Sequence, residues 1–352
     1  MAKPIRLLIA ASGTGGHLFP ALAVAEQLSD YEIQWLGVPD RLENTLVPEC
    51  YPLNIVKVQG LQKPLGLNTI KITSNFFSAI VRVQKLMKER QIDAVFTTGG
   101  YIAAPAILAA KLQNKPAILH ESNFIPGKVT RFLSRWCDKI ALGFAGTAQY
   151  LPQVTTDYVS TPVRSQFLTT QPLDLAIPDD AILVVVAGGS QGAVAVNQLV
   201  REAAPAWLEK GAYIVHLTGK NDSDADSLQH PHYISVPFYD NMAGLFQRAN
   251  LAISRAGAGT LTELAITGTP AILIPYPYAA EDHQTYNAKV FVEAEAAIMY
   301  PQSELTAEIL QSRVNEWLDK PEELETMAVK ARELAIADSA TRLANSIRDL
   351  VE

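Results

Sequence analysis

The sequence is poor in several features that mark particular protein classes. It has two cysteines, Cys50 and Cys137, and no C-x-x-C spacing, which argues against a disulfide framework and a zinc site and favours a reducing compartment. Its first residues are polar and show no secretory leader, so we expect a cytoplasmic protein. Its longest uncharged run, residues 181–200, is interrupted by the glycines of residues 188–192. That pattern is typical of strand, turn and helix, not of a membrane span.

Composition and charge further restrict the class of protein to which the chain can belong. Apolar residues make up 48% of the chain and charged residues 18%, which excludes a disordered protein and is typical of a compact α/β enzyme. A length of 352 residues favours two domains, because single cores stop growing at roughly 250 to 300 residues. Residues 1–162 carry 16 basic and 11 acidic side chains, whereas residues 163–352 carry 13 and 25. The basic half predicts an anionic partner, and its charge is too dilute for nucleic acid, so membrane phosphates fit better.

Short apolar runs alternate with helix-length segments along the chain, which predicts parallel sheets with helices on both faces. The runs are residues 5–11, 33–38, 94–98, 117–120 and 139–142 in the first half and 181–187, 213–217, 233–236, 251–254 and 271–275 in the second. We therefore predict an α/β protein of two doubly wound domains that face each other across a cleft. The expected divisions are 1–162, 163–336 and a final helix at 337–352 that packs back toward the first domain.

A glycine-rich loop follows the first predicted strand of each half, at residues 13–17 (GTGGH) and 188–192 (GGSQG). Such loops let backbone N–H groups and a helix N-terminus approach an anion, so we expect two phosphate sites, with the Ser190 hydroxyl as an extra donor in the second. Plain strand-to-helix turns have the same composition. The first loop lacks the full G-x-G-x-x-G pattern, no acidic residue clearly ends the second strand, and no Gly-Lys-Ser/Thr follows. Dinucleotide and P-loop sites are therefore disfavoured.

His17 ends the first glycine loop, at the expected first turn of a helix. An imidazole has an ordinary pKa of about 6.5, so in this position it can remove a proton from an acceptor hydroxyl. Histidines at helix N-termini also serve only as caps or as contacts to anions. The local sequence leaves both roles open.

Polar residues also open two predicted helices of the second half. Residues 254–263 (SRAGAGTLTE) give the most specific signal: Glu263 can accept both hydroxyls of a ribose, or it can simply favour the helix dipole. Residues 281–288 (EDHQTYNA) place Gln284 where it can read sugar hydroxyls. Residues 222–226 (DSDAD) have the D-x-D spacing of metal-dependent glycosyltransferases, but their polar neighbours favour a solvated acidic loop over a metal site.

Residues 61–90 combine apolar and basic side chains, among them Phe77, Val81, Lys85 and Lys88. A basic amphipathic stretch of this kind can rest on anionic lipid. A core-facing helix with a charged outer face shows the same pattern. We expect membrane-surface binding here if the substrate is a lipid.

With these residues in place, the chain resembles the MurG family, bacterial enzymes that transfer N-acetylglucosamine from its UDP derivative to undecaprenyl-diphospho-muramoyl-pentapeptide. The resemblance covers nearly the whole chain, and the family motifs follow in order. They are GTGGH at 13–17, GGY at 99–101, HESN at 120–123, PVR at 162–164, GGSQG at 188–192, SRAGAGTLTE at 254–263 and HQTYNA at 283–288. The chain departs from the family pattern at Ser12, Ser122 and Ser160-Thr161, where glycine, glutamine and Gly-Asn are common.

The resemblance implies the GT-B glycosyltransferase architecture, with two Rossmann-like domains that bind the lipid acceptor in the first and the UDP sugar mainly in the second. The implied substrate contacts are Thr14, Gly15, Gly16 and Asn123 in the first domain, Arg164 and Ser190 at the diphosphate, Gly259, Thr260 and Leu261 around the nucleotide, Glu263 at the ribose, the main chain of Tyr239 at uracil, and Gln284 at the sugar hydroxyls. No metal and no cofactor is implied.

The implied reaction is a single inverting displacement, in which the muramoyl C4 hydroxyl attacks the anomeric carbon and UDP leaves. Helix N-termini, Ser190 and Arg164 would stabilise the charge on the diphosphate in place of a metal. Our hypothesis is that His17 is the general base, and Glu121 is the second candidate.

The implied partners are UDP-N-acetylglucosamine, the undecaprenyl-linked acceptor, an anionic membrane surface at the cytoplasmic face of the inner membrane, and other proteins of cell-wall synthesis. Nucleic acid is not among them. Three other functions stay open: a related glycosyltransferase that uses diacylglycerol, an epimerase that acts on the UDP sugar alone, and a nucleotide-binding scaffold without catalysis. The acceptor that is used, conversion of the donor without lipid, and donor binding without turnover distinguish them.

Overall fold

The computed structural model describes residues 4–58, 67–189 and 192–351. The chain forms two compact units: the first consists of Met1–Arg164 with Asp338–Glu352, and the second of Ser165–Ala337. Each unit contains one parallel sheet, of seven strands in the first and six in the second. The prediction of two doubly wound α/β domains is confirmed. Within the described ranges, no helix combines the length and apolar character needed to cross a bilayer.

The first unit begins with a strand and alternates strands with helices. Its strands are β1 (Arg6–Ala10), β2 (Glu32–Gly37), β3 (Leu53–Ile55), β4 (Ala94–Thr97), β5 (Ala117–Glu121), β6 (Lys139–Leu142) and β7 (Thr156–Tyr158). The helices between them are α1 (Gly15–Glu26), α2 (Glu43–Leu46), α3 (Leu67–Glu89), α4 (Ala103–Leu112) and α5 (Lys128–Leu133). Short 3-10 segments follow at Ser134–Trp136 and Ala145–Tyr150.

The second unit restarts the same alternation after a 3-10 segment at Ser165–Leu168. Its strands are β8 (Leu183–Ala187), β9 (Tyr213–Leu217), β10 (Tyr233–Val236), β11 (Leu251–Ser254), β12 (Ala271–Leu273) and β13 (Ala297–Met299). Its helices are α6 (Val194–Glu209), α7 (Met242–Arg248), α8 (Ala258–Thr267), α9 (His283–Glu293), α10 (Ala307–Asp319) and α11 (Pro321–Glu333), with a 3-10 segment at Ala280–Asp282. The last helix, α12 (Ser339–Val351), belongs to the first unit.

The two sheets share one topology. The strand orders are β3-β2-β1-β4-β5-β6-β7 and β10-β9-β8-β11-β12-β13, so in each sheet the first strand is flanked by the second and the fourth. This is the Rossmann order, and ligands of such sheets bind beyond the carboxyl ends of the strands where the order reverses. The reversal lies between β1 and β4 in the first unit and between β8 and β11 in the second. The loops after these four strands are therefore where each unit is built to receive a ligand.

The central strands are apolar throughout because both of their faces are covered. Successive side chains of β1 alternate between two buried clusters: Leu8 and Ala10 lie in one, and Leu7 and Ile9 in the other. Strand β8 reads Leu-Val-Val-Val-Ala and is buried at every position. A strand with one solvated face would instead alternate apolar and polar residues. This burial explains why the sequence shows continuous apolar runs.

Helix α12 returns to the first unit and packs against α1. Leu343, Ala344 and Ile347 belong to the same buried cluster as Leu7. At its outer side, the Arg348 guanidinium pairs with Asp30 at 2.8 Å. The far end of the chain thus completes the core of the first unit.

A buried ion pair in the second unit corrects one interpretation of the sequence. Residues 222–226 were expected to form a solvated acidic loop, but Asp222 is buried, while Asp224 and Asp226 are exposed. The Asp222 carboxylate accepts hydrogen bonds from Arg201 at 2.8 and 3.2 Å and from Asn197 at 2.6 Å. Burial acts to raise the pKa of Asp222, but these donors outweigh it and hold the pKa below its usual value. The carboxylate is engaged within the protein.

The same network reaches the end of the second glycine loop. Asn197 Nδ2 also donates to the main-chain oxygen of Thr218 at 2.8 Å. A Cβ on Gly192 would lie 2.5 Å from that oxygen, and Gly192 has φ of +76°. Only glycine allows this close approach in this conformation. The buried network and the last glycine of the loop therefore depend on each other.

Candidate active site

The first glycine loop joins β1 to α1 at the carboxyl end of the sheet. Thr14 is the N-cap residue of α1, and its carbonyl oxygen accepts from the N–H groups of His17 at 3.0 Å and Leu18 at 3.2 Å. No hydrogen bond from the Thr14 side chain caps the helix, so the start of α1 can offer N–H groups of residues before His17 to an anion. Thr14 and Gly16 are exposed, and Gly15 is half-buried. The predicted substrate contacts of this loop are thus accessible.

Two buried side chains hold the main chain that leads into the loop. Thr97 Oγ1 donates to the carbonyl oxygen of Ala10 at 2.6 Å, and Trp35 Nε1 donates to that of Ala11 at 2.9 Å. Glu43 then holds the loop itself. Sequence reasoning missed all three residues, because each acts on the main chain of a segment far away in sequence.

His17 is fixed by the loop that follows β4. Its Nδ1 lies 2.7 Å from the carbonyl oxygen of Thr98, and Thr98 Oγ1 donates to the His17 carbonyl oxygen at 2.9 Å. A carbonyl can only accept, so Nδ1 carries a proton and Nε2 is the ring nitrogen available to accept one. Gly99 and Gly100 lie along the ring, where a Cβ on Gly100 would stand 3.7 Å from Nε2. The imidazole therefore has the tautomer that a general base requires.

Glu121, the last residue of β5, uses its carboxylate within its own loop. Oε1 accepts from the main-chain and side-chain N–H groups of Asn123 at 3.0 and 3.2 Å. Oε2 accepts from Gly127 N at 3.1 Å and from Thr130 Oγ1 at 2.6 Å. A carboxylate with four donors orients Asn123 and ties the loop together. Its role as a base stays a prediction, which this geometry disfavours.

His120 lies buried behind the same loop. Its Nε2 donates to the carbonyl oxygen of Ser160 at 3.0 Å, and its Nδ1 lies 3.3 Å from Ser122 Oγ. Burial lowers the pKa of His120 to about 4, so the ring is neutral at pH 7. Ser160 has φ of +65°, a left-handed backbone conformation that glycine adopts more easily. Glycine is common at this position in the family that the chain resembles. Two of the departures from the family pattern therefore meet at one buried histidine.

Arg164 is the last residue of the first stretch of the first unit. Its guanidinium carbon lies 4.4 Å from the centre of the Phe19 ring, a cation–π contact with α1. A Cβ on Gly15 would stand 2.7 Å from the same ring. Phe19 thus links the glycine loop to the arginine that was predicted to hold the diphosphate.

The loop after β11 leads into α8, whose N-terminus has no side-chain cap. Gly257 is the N-cap residue and makes no side-chain cap, and a Cβ on Gly257 or Gly259 would meet nothing within 4 Å. The first N–H groups of the helix therefore face room for a ligand. Thr260 is half-buried, whereas Leu261 is fully buried and donates its N–H to Gly257 at 3.0 Å. Leu261 thus has no exposed surface, and its contact with a nucleotide stays a prediction.

Gln284, in the first turn of α9, joins two strand-end loops. Its Oε1 accepts from Ala256 N at 3.2 Å and from Tyr276 N at 2.9 Å. With the oxygen occupied in this way, the amide nitrogen is the group that can donate to a ligand. Asn287 Nδ2 donates to the carbonyl oxygen of Ala256 at 3.2 Å. Gln284 and Asn287, near the start of α9, therefore bind the N–H and the carbonyl group of Ala256, at the start of the loop before α8.

The remaining predicted contacts are placed as follows. The Tyr239 hydroxyl donates to the Asp174 carboxylate, and burial together with this contact raises the pKa of Tyr239 to about 12. Its side chain is thus engaged, which leaves the main chain for the predicted uracil contact. Glu263 is half-buried on α8. Ser190 lies outside the described residues.

The structure thus gathers the predicted residues into two groups. In the first unit, the loops after β1, β4 and β5 carry Thr14 to His17, Gly99, Gly100 and Asn123 at one edge of the sheet. In the second unit, the loop after β11 and the start of α9 bring residues 256–263 together with Gln284. The roles of all these residues in substrate binding stay predictions.

Two family models match the chain. The glycosyltransferase family 28 N-terminal domain matches residues 7–142, and the glycosyltransferase family 28 C-terminal domain matches residues 183–343. The chain belongs to glycosyltransferase family 28. The two matches fall in the first and second structural units respectively, except for the last residues of the second match, which lie in α12.

Curated and solved relatives agree with the family 28 assignment. The chain is 68% identical over 346 residues, or 98% of its length and 96% of the relative's, to the UDP-N-acetylglucosamine--N-acetylmuramyl-(pentapeptide) pyrophosphoryl-undecaprenol N-acetylglucosamine transferase of Gloeothece citriformis. It is 30% identical to Acinetobacter baumannii MurG, whose crystal structure superposes with a TM-score of 0.78 and coverage of 98% and 100%. The resemblance to the MurG family is confirmed.

The fold alone extends more widely. A putative UDP-N-acetylglucosamine 2-epimerase from Listeria monocytogenes superposes with a TM-score of 0.71 over 99% of this chain and 96% of its own, at 14% identity. At that identity the likeness shows a shared fold and nothing about the reaction.

Proposed function

We propose that this family 28 enzyme transfers N-acetylglucosamine from UDP-N-acetylglucosamine to undecaprenyl-diphospho-N-acetylmuramoyl-pentapeptide in peptidoglycan synthesis. The observation that carries the proposal is the 68% identity, over 98% of the chain, to a relative named for this transfer. The same observation favours this acceptor over diacylglycerol. The geometry of the two loop groups indicates how the chain performs the reaction.

His17 is the base of the proposed mechanism. The muramoyl C4 hydroxyl gives its proton to His17 Nε2 as its oxygen bonds to the anomeric carbon, and the bond from that carbon to UDP breaks with inversion. The proposal is supported by the hydrogen bond of Nδ1 to the Thr98 carbonyl at 2.7 Å, which leaves Nε2 to accept. The same carbonyl stabilises the imidazolium once the proton has arrived.

The departing diphosphate gains negative charge, which the protein must stabilise. The N–H groups at the start of α8 and the guanidinium of Arg164 are the donors proposed for this role, together with Ser190. We propose that no divalent cation takes part. Residues 222–226 contain two overlapping D-x-D sequences, and Asp222 of the first is bound by Arg201 and Asn197, so that pair lacks one of its two ligands.

The UDP sugar is bound mainly by the second unit in this proposal. There Glu263 holds the ribose, Gln284 donates to sugar hydroxyls, and the main chain of Tyr239 contacts uracil. The loop of Thr14 to Gly16 and Asn123 contact the UDP sugar from the first unit, which also binds the lipid acceptor. The amide of Gln284 supports its role, since its oxygen is already held by two main-chain donors.

The function is tested by measuring UDP release from UDP-N-acetylglucosamine with and without the muramoyl diphospholipid, in excess chelator. We expect release that depends on the acceptor and that chelation leaves unchanged. Release with diacylglycerol instead would indicate the glycolipid synthase, and conversion of the donor without lipid would indicate an epimerase. If the chelator abolished UDP release and Mg²⁺ restored it, the result would contradict the metal-free mechanism but not the proposed reaction.

An enzyme with a lipid-linked acceptor must contact a membrane surface, and helix α3 has residues suited to that contact. Its inner face, with Ile80, Val83 and Met87, is buried in the core of the first unit. On its outer face Phe77 is 61% and Val81 64% exposed. Phe77 and Val81 lie one turn apart, so together they form a small exposed apolar patch on this face. The inner face fits the core-facing interpretation, and the exposed apolar residues of the outer face support the proposal of membrane binding.

The exposed apolar residues continue into basic ones. Phe77, Val81, Lys85 and Lys88 follow at spacings of four, four and three, so they lie on one stripe of the helix. The Lys85 side chain is 75% exposed, and its pairing with Glu89 at 3.7 Å is loose. Apolar residues that enter the interface and lysines that meet lipid phosphates are the two elements of surface binding. We propose peripheral association with the cytoplasmic face of the inner membrane through this stripe.

Reversing both lysines, Lys85→Glu with Lys88→Glu, should weaken partitioning into anionic vesicles at least about tenfold, because each basic residue near such a surface contributes about 1 kcal/mol. Sedimentation with vesicles of anionic and of zwitterionic lipid measures the effect. The matched control is Lys220→Glu with Lys330→Glu, which makes the same change in net charge in the second unit. Equal partitioning of the wild type and the α3 variant would rule out the stripe as the binding surface.

A further inference from the structure

Glu43, the first residue of α2, is a carboxylate without any exposed surface. Ionised carboxylates are rarely buried completely unless several donors surround them. It comes six residues after the end of β2, and α2 is only one turn long. Neither the expected substrate contacts nor the proposed mechanism uses it.

The donors of Glu43 come from the first glycine loop and from the end of β2. Oε1 accepts from Ser12 Oγ at 2.5 Å and from Val38 N at 2.8 Å, and Oε2 accepts from Gly13 N at 3.2 Å. The carboxylate thus holds two successive residues of the loop, one by its side chain and one by its main chain. The third donor, Val38 N, fixes the carboxylate to the neighbouring strand.

The neighbouring main chain is shaped to receive this side chain. A Cβ on Gly37 would stand 2.8 Å from Glu43 Cγ and 3.0 Å from its Oε1. It would also stand 3.2 Å from Leu53 Cδ1, so a side chain at residue 37 would press on both neighbours. The absence of a side chain at Gly37 therefore provides the space that the Glu43 carboxylate fills.

The loop held in this way leads directly to the proposed base. Gly13 precedes the N-cap residue of α1, and His17 lies in the first turn of that helix. The ring of His17 is hydrogen-bonded to Thr98, which follows β4. In the sheet, β4 and β2 lie on opposite sides of β1, so Thr98 and Glu43 hold the loop from opposite sides. The position of Nε2 relative to the loop amides thus depends on two anchors, Thr98 for the ring and Glu43 for the loop.

We propose that Glu43 is a positioning residue for the transfer reaction, and that it fixes the first glycine loop in the geometry in which the acceptor meets His17. The proposal rests on the proposed function for its reaction and on the three hydrogen bonds for its geometry. Misplacing reacting groups by about 1 Å can lower the rate about 100-fold, so a residue that touches no substrate can still control kcat.

The first test is Glu43→Gln, which keeps the shape of the side chain. Its single carbonyl oxygen can replace Oε1, but its NH₂ group then faces the N–H of Gly13, donor against donor. We expect kcat to fall about 10- to 100-fold, with calorimetric binding of UDP unchanged because the nucleotide contacts are assigned mainly to the second unit. The matched control is Glu49→Gln, an exposed glutamate of the same unit, which should retain the activity of the wild type.

The second test separates positioning from a general loss of structure. In a His17→Ala background, Glu43→Gln should lower kcat far less than in the wild type, because the group that it positions is gone. Fold-changes that multiply independently would overturn the proposal, since a purely structural effect is the same in both backgrounds. Gly37→Ala provides an independent variant, which displaces the carboxylate while every hydrogen-bonding group is retained, and it should reproduce the loss of kcat.

The third test does not depend on the reaction. Amide hydrogen exchange of residues 13–18 should be faster in Glu43→Gln than in the wild type, with exchange in the second unit unchanged. An unchanged loop would overturn the proposal even if the wild type transfers N-acetylglucosamine as expected. A wild type without acceptor-dependent UDP release would contradict the proposed function instead, and the loop measurement would still test the contacts of Glu43.

Discussion

Replacing His17 by alanine should lower kcat about 10²- to 10⁴-fold with both substrates saturating, which is the usual contribution of one general base. The expectation follows from the tautomer, since Nδ1 is committed to the Thr98 carbonyl at 2.7 Å and Nε2 is left to accept the acceptor's proton. Acceptor-dependent UDP release in the steady state measures kcat, and a single-turnover experiment shows whether the chemical step is the one that slows.

Two controls make the His17 result specific. His230→Ala makes the same substitution at an exposed histidine of the second unit and should leave kcat unchanged. Calorimetric binding of UDP to His17→Ala should match the wild type, because UDP is assigned mainly to the second unit and His17 is not among its proposed contacts. Unchanged turnover in His17→Ala would remove this residue from the mechanism and make Glu121 the next to test, although its four donors argue that Glu121→Gln would mainly loosen its loop.

The regular part of the fold could be predicted because the central strands are buried on both faces. Runs such as residues 181–187 are apolar without interruption, and parallel strands under two layers of helices require that pattern. The edge strands β3, β7 and β13 were missed. Each has only three residues, and none is buried at every position, so neither length nor pattern separates it from a loop.

The site was predictable where it follows the strand ends and was missed where it depends on tertiary contacts. Glycine loops and helix starts at residues 13–17 and 254–263 are local signals, because the topology places them at the reversal of strand order. Glu43 gave no such signal. The sequence has no acidic residue at the end of β2, and yet the chain returns through α2 to place a carboxylate at that point in space. Asp222 is a second case, since only the fold brings Arg201 to it.

Two buried histidines, which the sequence placed in the apolar runs of β5 and β9, control how stability should depend on pH. Burial lowers the pKa of His120, in the first unit, to about 4. Burial also lowers the pKa of His216, in the second unit, to about 4, and the nearby Arg201 adds to this while Asp222 opposes it. His216 bonds to Tyr233 at 2.7 Å and to Asn197 at 3.0 Å, so its neutral ring is part of the Asp222 network.

We therefore expect the free energy of unfolding of each unit to fall as the pH is lowered from about 6.5 to about 4. In the unfolded chain a histidine has a pKa of about 6.5, so in this window the unfolded state binds more protons than the folded state, and stability rises with pH. Each histidine should contribute a slope approaching about 1.4 kcal/mol per pH unit and a total of about 3 kcal/mol. The lowered pKa of Asp222 acts at lower pH, because its contribution is lost only as the pH falls below the usual aspartate range.

Denaturant unfolding between pH 4.5 and 7.5, followed by hydrogen exchange in peptides of each unit, measures the two slopes separately. His216→Asn should flatten the slope of the second unit only, and His120→Asn that of the first, whereas the exposed His230→Asn should change neither. A slope that survives both buried substitutions would mean that other groups take up the protons. Because each unit contains one such histidine, acid should weaken both units.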